Sequence, residues 1–217
     1  MKLSIVGQPR KIRGLTFMCG RETGTNPDYV KAAHDLGAMC ADNGITGYFG
    51  GSQFGMMGAF AAGVIGHNGK VVGVMPHFLK DVEKPLDSIE IIWVDDFAQR
   101  LERFRDPDFV DVIVNGPGGV GTDAEHRDFA TRDKHEQLGL PNILLNIAGI
   151  FDYCVLDLQH RAEQGFMWEK PAKRLLVATA VSEILPMTHA FYSGEPVQNI
   201  FDTPLTITPN RLQKAAG

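Results

Sequence analysis

Apolar runs rich in β-branched and aromatic residues alternate along this chain with longer segments whose apolar positions recur at helical spacing. Uninterrupted apolar runs are typical of strands buried on both faces of a parallel sheet, and helices usually join such strands. Strands are predicted at 15–19, 45–49, 71–75, 89–94, 109–115 and 142–146. Helices are predicted at about 27–43, 58–66, 96–105, 122–138 and 152–164. This order predicts an α/β fold: a doubly wound, Rossmann-like, mainly parallel sheet with helices on both faces.

The length of 217 residues fits one domain, and no change in composition along the chain marks a linker. We therefore predict a single domain over residues 1–217. The segment 193–217 contains Pro196, Pro204 and Pro209. It is predicted to be an extended tail that lies over the body of the protein or over a partner subunit.

Composition excludes several classes of function. A formal net charge of -5 argues against a nucleic-acid-binding surface, which is usually basic. No apolar stretch approaches the roughly 20 residues of a membrane helix, and the run 3–6 is too short for a signal peptide. Cys19, Cys40 and Cys154 are odd in number and far apart, which favours reduced thiols and a cytoplasmic location. The seven histidines have no ligand spacing, so neither a metal nor another cofactor is predicted.

The glycine-rich turn at 117–121 is the most informative motif, because it follows the predicted strand 109–115 and precedes a predicted helix. A helix N-terminus offers free backbone N–H groups and the positive end of the helix dipole, so this order of elements favours anion binding. Glycines let the backbone approach a phosphate closely. The predicted phosphate and substrate ligands are Gly118, Gly119, Val120, Gly121 and Thr122.

Glu125 lies one helical turn beyond this phosphate site and has two interpretations. As a carboxylate beside bound phosphate, it is a candidate for acid–base chemistry. Thr122-x-x-Glu125 is also the spacing of a capping box, in which both side chains bond the first N–H groups of a helix. The spacing alone favours neither interpretation.

A second glycine-rich turn at 50–58 also stands between a predicted strand and a predicted helix. It lacks the Gly-Lys-Ser/Thr of a Walker A motif and the glycine register of a dinucleotide fingerprint. Two such turns suggest a mononucleotide or a sugar phosphate held between them. Gly51 and Ser52 are the binding residues predicted in this turn.

Taken in order, the motifs of both turns resemble those of the LOG (LONELY GUY) family. Its members are cytokinin riboside 5′-monophosphate phosphoribohydrolases, once described as lysine decarboxylases. The family signature Pro-Gly-Gly-x-Gly-Thr-x-x-Glu is complete at 117–125, and the resemblance covers a core of roughly residues 14–185. The shorter motifs that resemble the family are Cys19-Gly20, Pro27-Asp28-Tyr29, 55–58, 146–152 and 164–166.

The resemblance implies hydrolysis of the N-glycosidic bond of a nucleoside 5′-monophosphate to free base and ribose 5-phosphate. It also implies a homodimer or higher homo-oligomer with its sites at the subunit interface. The family's catalytic Arg and Glu correspond to Arg100 and Glu125. Judged on spacing alone, Arg100 could instead be an exposed helix arginine paired with Asp96, four positions earlier. The family's substrate-binding motifs add Gly20, Arg21 and Met57.

Departures from the family pattern keep two other functions open. Leu101 stands where the family has a lysine, Arg21 where it has a serine, and Ala124 where it has a glutamate. Loss of the lysine would suit a LOG-like binding or carrier protein, such as the molybdenum cofactor carriers. Arg21 and the charged helix after Glu125 would suit a specialised glycosidase of a secondary-metabolite pathway, acting on an unusual nucleotide.

Overall fold

The computed structural model describes residues 10–134, 139–167, 175–203 and 205. Within them the strands are β1 (Gly14–Met18), β2 (Thr46–Phe49), β3 (Val71–Pro76), β4 (Glu90–Val94), β5 (Val112–Asn115), β6 (Asn142–Leu145) and β7 (Leu175–Ala178). They form one parallel sheet in the order β4-β3-β2-β1-β5-β6-β7. The order reverses between β1 and β5, and doubly wound sheets bind ligands outside the carboxyl ends of the strands at such a switch point.

The helices cover both faces of this sheet. Along β5, Val112 and Val114 belong to the hydrophobic cluster that includes Leu36 and Phe60. The intervening Ile113 belongs to a second cluster on the opposite face. Strand side chains alternate between faces, so the apolar runs of the sequence serve two cores at once. The helices are α1 (Pro27–Asp42), α2 (Gly55–Gly66), α3 (Lys80–Glu83), α4 (Phe97–Phe104), α5 (Val120–Lys134), α6 (Asp152–Glu163) and α7 (Ile184–Ser193).

The predicted fold class, a doubly wound parallel α/β sheet, is confirmed. All six predicted strands are present, with ends that differ by up to three residues. The helix predicted from Thr122 begins instead at Val120, and its predicted end at Leu138 lies outside the described residues. The sequence analysis did not predict α3, β7 or α7.

A cluster at the amino end of β5 fastens residues before β1 and residues of α7 to the sheet. The carboxylate of Asp111 is fully buried and accepts hydrogen bonds from Arg10 Nη2 at 2.8 Å and from Arg13 N at 2.7 Å. The Tyr192 hydroxyl donates to the Asp111 carbonyl at 2.7 Å. Burial alone would raise the pKa of Asp111, but the bonds from the two arginines outweigh burial and lower it.

The segment after α7 returns along the outer edge of the sheet. Asn199 forms an antiparallel bridge with Leu176 of β7, and Ile200 is buried beside Val177. Residues 1–9 and 206–217 of the predicted single domain lie outside the described residues. None of the helices in the described part of the chain is long and apolar enough to cross a membrane.

Candidate active site

A cavity of about 560 Å³ opens at the switch point, between the segments that follow β1 and β5 and the N-termini of α2 and α5. The hydrogen bond from Gly20 N to the Pro117 carbonyl, 2.9 Å long, joins the two segments. The predicted site residues that line the cavity are Gly20, Arg21, Met57, Arg100, Gly118, Gly119, Val120, Gly121, Thr122 and Glu125.

The turn after β5 presents the free N-terminus of α5 to this cavity. The N–H of Asp123 donates to the Gly119 carbonyl at 3.1 Å, so the helical ladder starts there and the preceding N–H groups have no partner within the helix. A Cβ atom on Gly118 would lie 2.2 Å from Thr122 Oγ1. The turn is therefore so tightly packed that only glycine fits at position 118 without moving Thr122.

The capping-box interpretation of Thr122 and Glu125 is wrong. Because α5 begins at Val120, Thr122 is the third residue of the helix and cannot be its N-cap. Glu125 is the sixth helical residue and lines the cavity. Burial raises the pKa of the Glu125 carboxyl, and the charge of Arg100 acts in the opposite direction.

Arg100 lies on α4 and faces the cavity. The carboxylate of Asp96 caps this helix by accepting from Gln99 N at 2.8 Å, and the guanidinium of Arg100 lies over the ring of Phe104, 5.2 Å from its centroid. The Nε atom of Arg100 is buried and has no hydrogen-bond partner among the described residues. The alternative of an exposed arginine paired with Asp96 is therefore wrong.

Gly50 makes room for that guanidinium. A Cβ atom on Gly50 would lie 2.5 Å from Arg100 Nη2 and 2.6 Å from the sulfur of Met57. Cys19, the residue that follows β1, also lines the cavity together with Gly50 and Arg100. Burial raises the pKa of its thiol strongly, and Glu125 raises it further while Arg100 lowers it. Arg100, Glu125 and a neutral Cys19 thiol are therefore within electrostatic reach of one another.

Gly51 and Ser52 were predicted to bind phosphate, but neither is among the residues that line the cavity. The Ser52 hydroxyl is buried and donates to the Glu83 carbonyl at 2.8 Å. Gly51 has a φ of +85° and lies against Gly73 of β3. In this geometry they shape the turn before α2. The glycine spacing in the sequence predicts a tight turn, but it does not predict whether the turn faces the cavity.

Arg21 and Glu83 form another wall of the cavity. Arg21 Nε lies 3.6 Å from Glu83 Oε2, and Arg21 Nη2 donates to the Val82 carbonyl at 3.2 Å. This wall joins the segment after β1 to α3.

Sequence reasoning missed several lining residues. Cys19 could have been predicted to line the site, because it ends the predicted strand 15–19 just before Gly20. Phe97 could also have been predicted, because it lies one helical turn before Arg100. No sequence pattern marks Glu83 as a site residue, because its helix has only four residues, too few to show a helical periodicity. The missed lining residues are Cys19, Glu22, Thr23, Gly24, Tyr29, Gly50, Met56, Glu83, Phe97, Pro117 and Ile150.

The fold and this cavity define a Rossmann-like α/β protein with its candidate site at the switch point. The family profile described as "Possible lysine decarboxylase" matches residues 57–187. This chain belongs to that family, the LOG family.

Two named relatives illustrate the similarity. The chain is 30% identical over 181 residues to a probable cytokinin riboside 5′-monophosphate phosphoribohydrolase of Oryza sativa subsp. japonica, covering 81% of this chain and 70% of the relative. It is 28% identical over 170 residues to a cytokinin riboside 5′-monophosphate phosphoribohydrolase of Rhodococcoides fascians, covering 76% of this chain and 83% of the relative.

Solved structures support the fold. The molybdenum cofactor carrier protein of Chlamydomonas reinhardtii has a TM-score of 0.60 at 20% identity, covering 84% of this chain and 99% of that chain. The molybdenum cofactor binding protein of Rippkaea orientalis has a TM-score of 0.59 at 20% identity, covering 83% of this chain and 98% of that chain.

Proposed function

We propose that this protein hydrolyses the N-glycosidic bond of a nucleoside 5′-monophosphate, releasing the free base and ribose 5-phosphate. The observation that carries the proposal is a half-buried carboxylate, Glu125, within electrostatic reach of Arg100 beside the open N-terminus of α5. The names of the phosphoribohydrolase relatives support the same reaction.

The turn after β5 is the proposed phosphate site. Gly118, Gly119, Val120 and Gly121 offer backbone donors and the positive end of the α5 dipole, and Thr122 adds a hydroxyl. Hydrogen bonds to a charged group contribute about 1.5–3 kcal/mol each. The 5′-phosphate therefore fixes the ribose at this end of the cavity.

Glu125 is the proposed catalytic carboxylate. As the C1′–N bond breaks, positive charge develops on the ribose, and a nearby carboxylate stabilises it. The same carboxylate accepts a proton from the water whose oxygen bonds to C1′, and this proton passes to the ring nitrogen of the departing base, so that one water is divided between the two products. Arg100 favours the charged form of Glu125 against the larger opposing effect of burial, and it offers a cation to the phosphate or the base.

We further propose that the protein works in the cytoplasm as a homodimer or higher homo-oligomer. Val120 and Phe97 line the cavity and are 91% and 54% exposed in the single chain. A second subunit that covers these apolar residues would exclude water from the site. Light scattering measures the assembly directly, and a monomer at working concentration would contradict this part of the proposal.

Incubation with a panel of nucleoside 5′-monophosphates, followed by detection of free base, tests the proposed activity. Glu125→Gln keeps the shape of the side chain and removes its charge, so it should lower turnover about a hundredfold or more while nucleotide binding persists. Unchanged turnover together with a lower melting temperature would limit Glu125 to a structural role.

The 5′-phosphate should be required. Losing about three charge-assisted bonds lowers catalytic efficiency more than about a thousandfold. The measurement compares one nucleotide with its own nucleoside under identical conditions. Equal rates would mean that the turn after β5 does not hold phosphate, and the mechanism proposed here would fail.

A LOG-like binding or carrier protein is the second candidate. Leu101, in place of the family's lysine, packs against the hydrophobic cluster that includes Phe104 and Ile113 and so contributes no charge to the site. If no nucleotide releases base while calorimetry detects nucleotide binding, the carrier function replaces the enzymatic one.

A further inference from the structure

The wall formed by Arg21 and Glu83 has no part in the chemistry proposed above. Arg21 Nη2 donates to the Val82 carbonyl at 3.2 Å, and the Arg21 guanidinium lies 5.1 Å from the centroid of the Phe54 ring. Its Nε atom lies 3.6 Å from Glu83 Oε2. Arg21 is therefore held among α3 and the start of α2, with its guanidinium in an ion pair with Glu83 that is too long for a hydrogen bond.

The backbone beneath Glu83 is also fixed. Its carbonyl accepts from the buried Ser52 hydroxyl at 2.8 Å, and the next carbonyl, of Lys84, accepts from Gln53 N at 3.3 Å. Glu83 Oε2 is buried and has no hydrogen-bond partner among the described residues. A buried carboxylate oxygen without a donor is unfavourable, and a ligand with an N–H group would satisfy it.

The wall and the proposed phosphate site line the same cavity of about 560 Å³. Arg21 directly follows Gly20, whose N–H donates to Pro117 at the start of the glycine turn, at 2.9 Å. Glu83 repels phosphate, so the part of the ligand that it can face is a hydrogen-bond donor. With the phosphate at the glycine turn and the ribose at Glu125, as proposed above, the base is left for this wall.

We propose that Glu83, positioned by Arg21, accepts a hydrogen bond from the base, so that the preferred substrates carry an exocyclic amino or lactam N–H. The inference rests on the proposed nucleotide hydrolysis and adds the class of base. A nucleotide whose base offers no N–H at that edge leaves Glu83 unsatisfied and is a poor substrate.

The test compares nucleotides that differ by one donor. The probes are AMP with N6,N6-dimethyl-AMP and with purine riboside 5′-monophosphate, and CMP with 2-pyrimidinone riboside 5′-monophosphate. For the better parent, removal of the donor should lower kcat/KM at least tenfold. Wild-type protein that hydrolyses each analogue as well as its parent would overturn the base assignment while leaving the hydrolase intact. Wild-type protein that releases base from none of them would overturn the hydrolase itself.

Glu83→Met removes the acceptor at similar volume and should reduce the discrimination between parent and analogue to within about threefold. Inhibition by ribose 5-phosphate, which has no base, should stay within about threefold of wild type. Asp81→Asn is the matched control, since this exposed carboxylate of α3 does not line the cavity. Full discrimination in a folded Glu83→Met protein, or an equal loss of ribose 5-phosphate binding, would overturn the proposal.

Discussion

The acidity of Glu125 is decided by two opposing effects on one side chain. Burial raises the pKa of the carboxyl, and the charge of Arg100 lowers it, with burial the larger effect. Hydrolysis needs the ionised carboxylate, so activity is lost as the pH falls through that pKa. The acid limb of kcat/KM reports this group in the free enzyme.

Removing Arg100 should move that limb. In Arg100→Met the lowering effect is gone, so the pKa of Glu125 rises and the acid limb shifts to higher pH. The measurement is a pH profile of kcat/KM for wild type and variant. Arg103→Met is the control, because Arg103 lies on the same helix and pairs with Asp106 at 3.4 Å, away from the cavity. A limb that stays in place, or moves to lower pH, would separate Arg100 from Glu125.

At the scale of elements, the sequence predicted the glycine turn after β5 but misplaced the start of α5 by two residues. Thr122 and Glu125 have the spacing of a capping box, whereas the turn closes at Gly119, whose carbonyl accepts the first helical bond. The sequence spacing alone does not show whether the helix starts at the capping box or directly after the glycine turn. The turn is also bonded to the segment after β1, through Gly20 N and the Pro117 carbonyl, and such a contact cannot be predicted from the local sequence.

The two helices that were not predicted, α3 and α7, have weak or contradictory local signals. The four residues of α3 are held by Ser52 and Arg21, which come from other parts of the chain. In α7, Pro186 argues against a helix, yet it lies in the first turn, where a missing N–H costs no helical hydrogen bond. Tertiary contacts and position, not periodicity, define both helices.

Gly118→Ala should disrupt the turn after β5. The new Cβ atom would lie 2.2 Å from Thr122 Oγ1 and 2.9 Å from Gly20 N, closer than real contacts allow, so the backbone must shift. A displacement of about 1 Å in a catalytic site can cost about a hundredfold in rate, and a loss of that size in kcat/KM is expected. Gly66→Ala serves as the control, because a Cβ atom there meets nothing within 4 Å. Full activity in Gly118→Ala would mean that the turn does not position the phosphate.

At the scale of the whole molecule, structural contacts and the candidate site lie at opposite ends of the parallel strands. The cluster around Asp111 fastens Arg10, Arg13 and Tyr192 at the amino ends, and the cavity opens at the carboxyl ends. Parallel topology predicts this separation from the sequence alone, because all strands point the same way. The pairing of Asp111 with Arg13 and Arg10, 98 and 101 positions away, does not follow from any local pattern.

The buried histidine of α5 should make the stability of the whole molecule sensitive to acid. His126 is 1% exposed, and neither ring nitrogen has a hydrogen-bond partner among the described residues. Burial lowers its pKa from 6.5 to about 4, against a smaller raising effect of Asp123. Between about pH 6.5 and pH 4, His126 is protonated in the unfolded chain but stays neutral in the folded protein. The free energy of unfolding therefore falls as the pH is lowered through this range.

The expected loss across that window is about 3 kcal/mol, because each unit of pKa difference corresponds to about 1.36 kcal/mol. Denaturant unfolding at a series of pH values, with wild type compared with His126→Met, measures it. The variant has no imidazole to protonate at this position, so its stability should fall about 3 kcal/mol less between pH 7 and pH 4. Because other groups titrate equally in both proteins, parallel curves would show that His126 accepts its proton in the folded state, and its burial would not be the source of acid sensitivity.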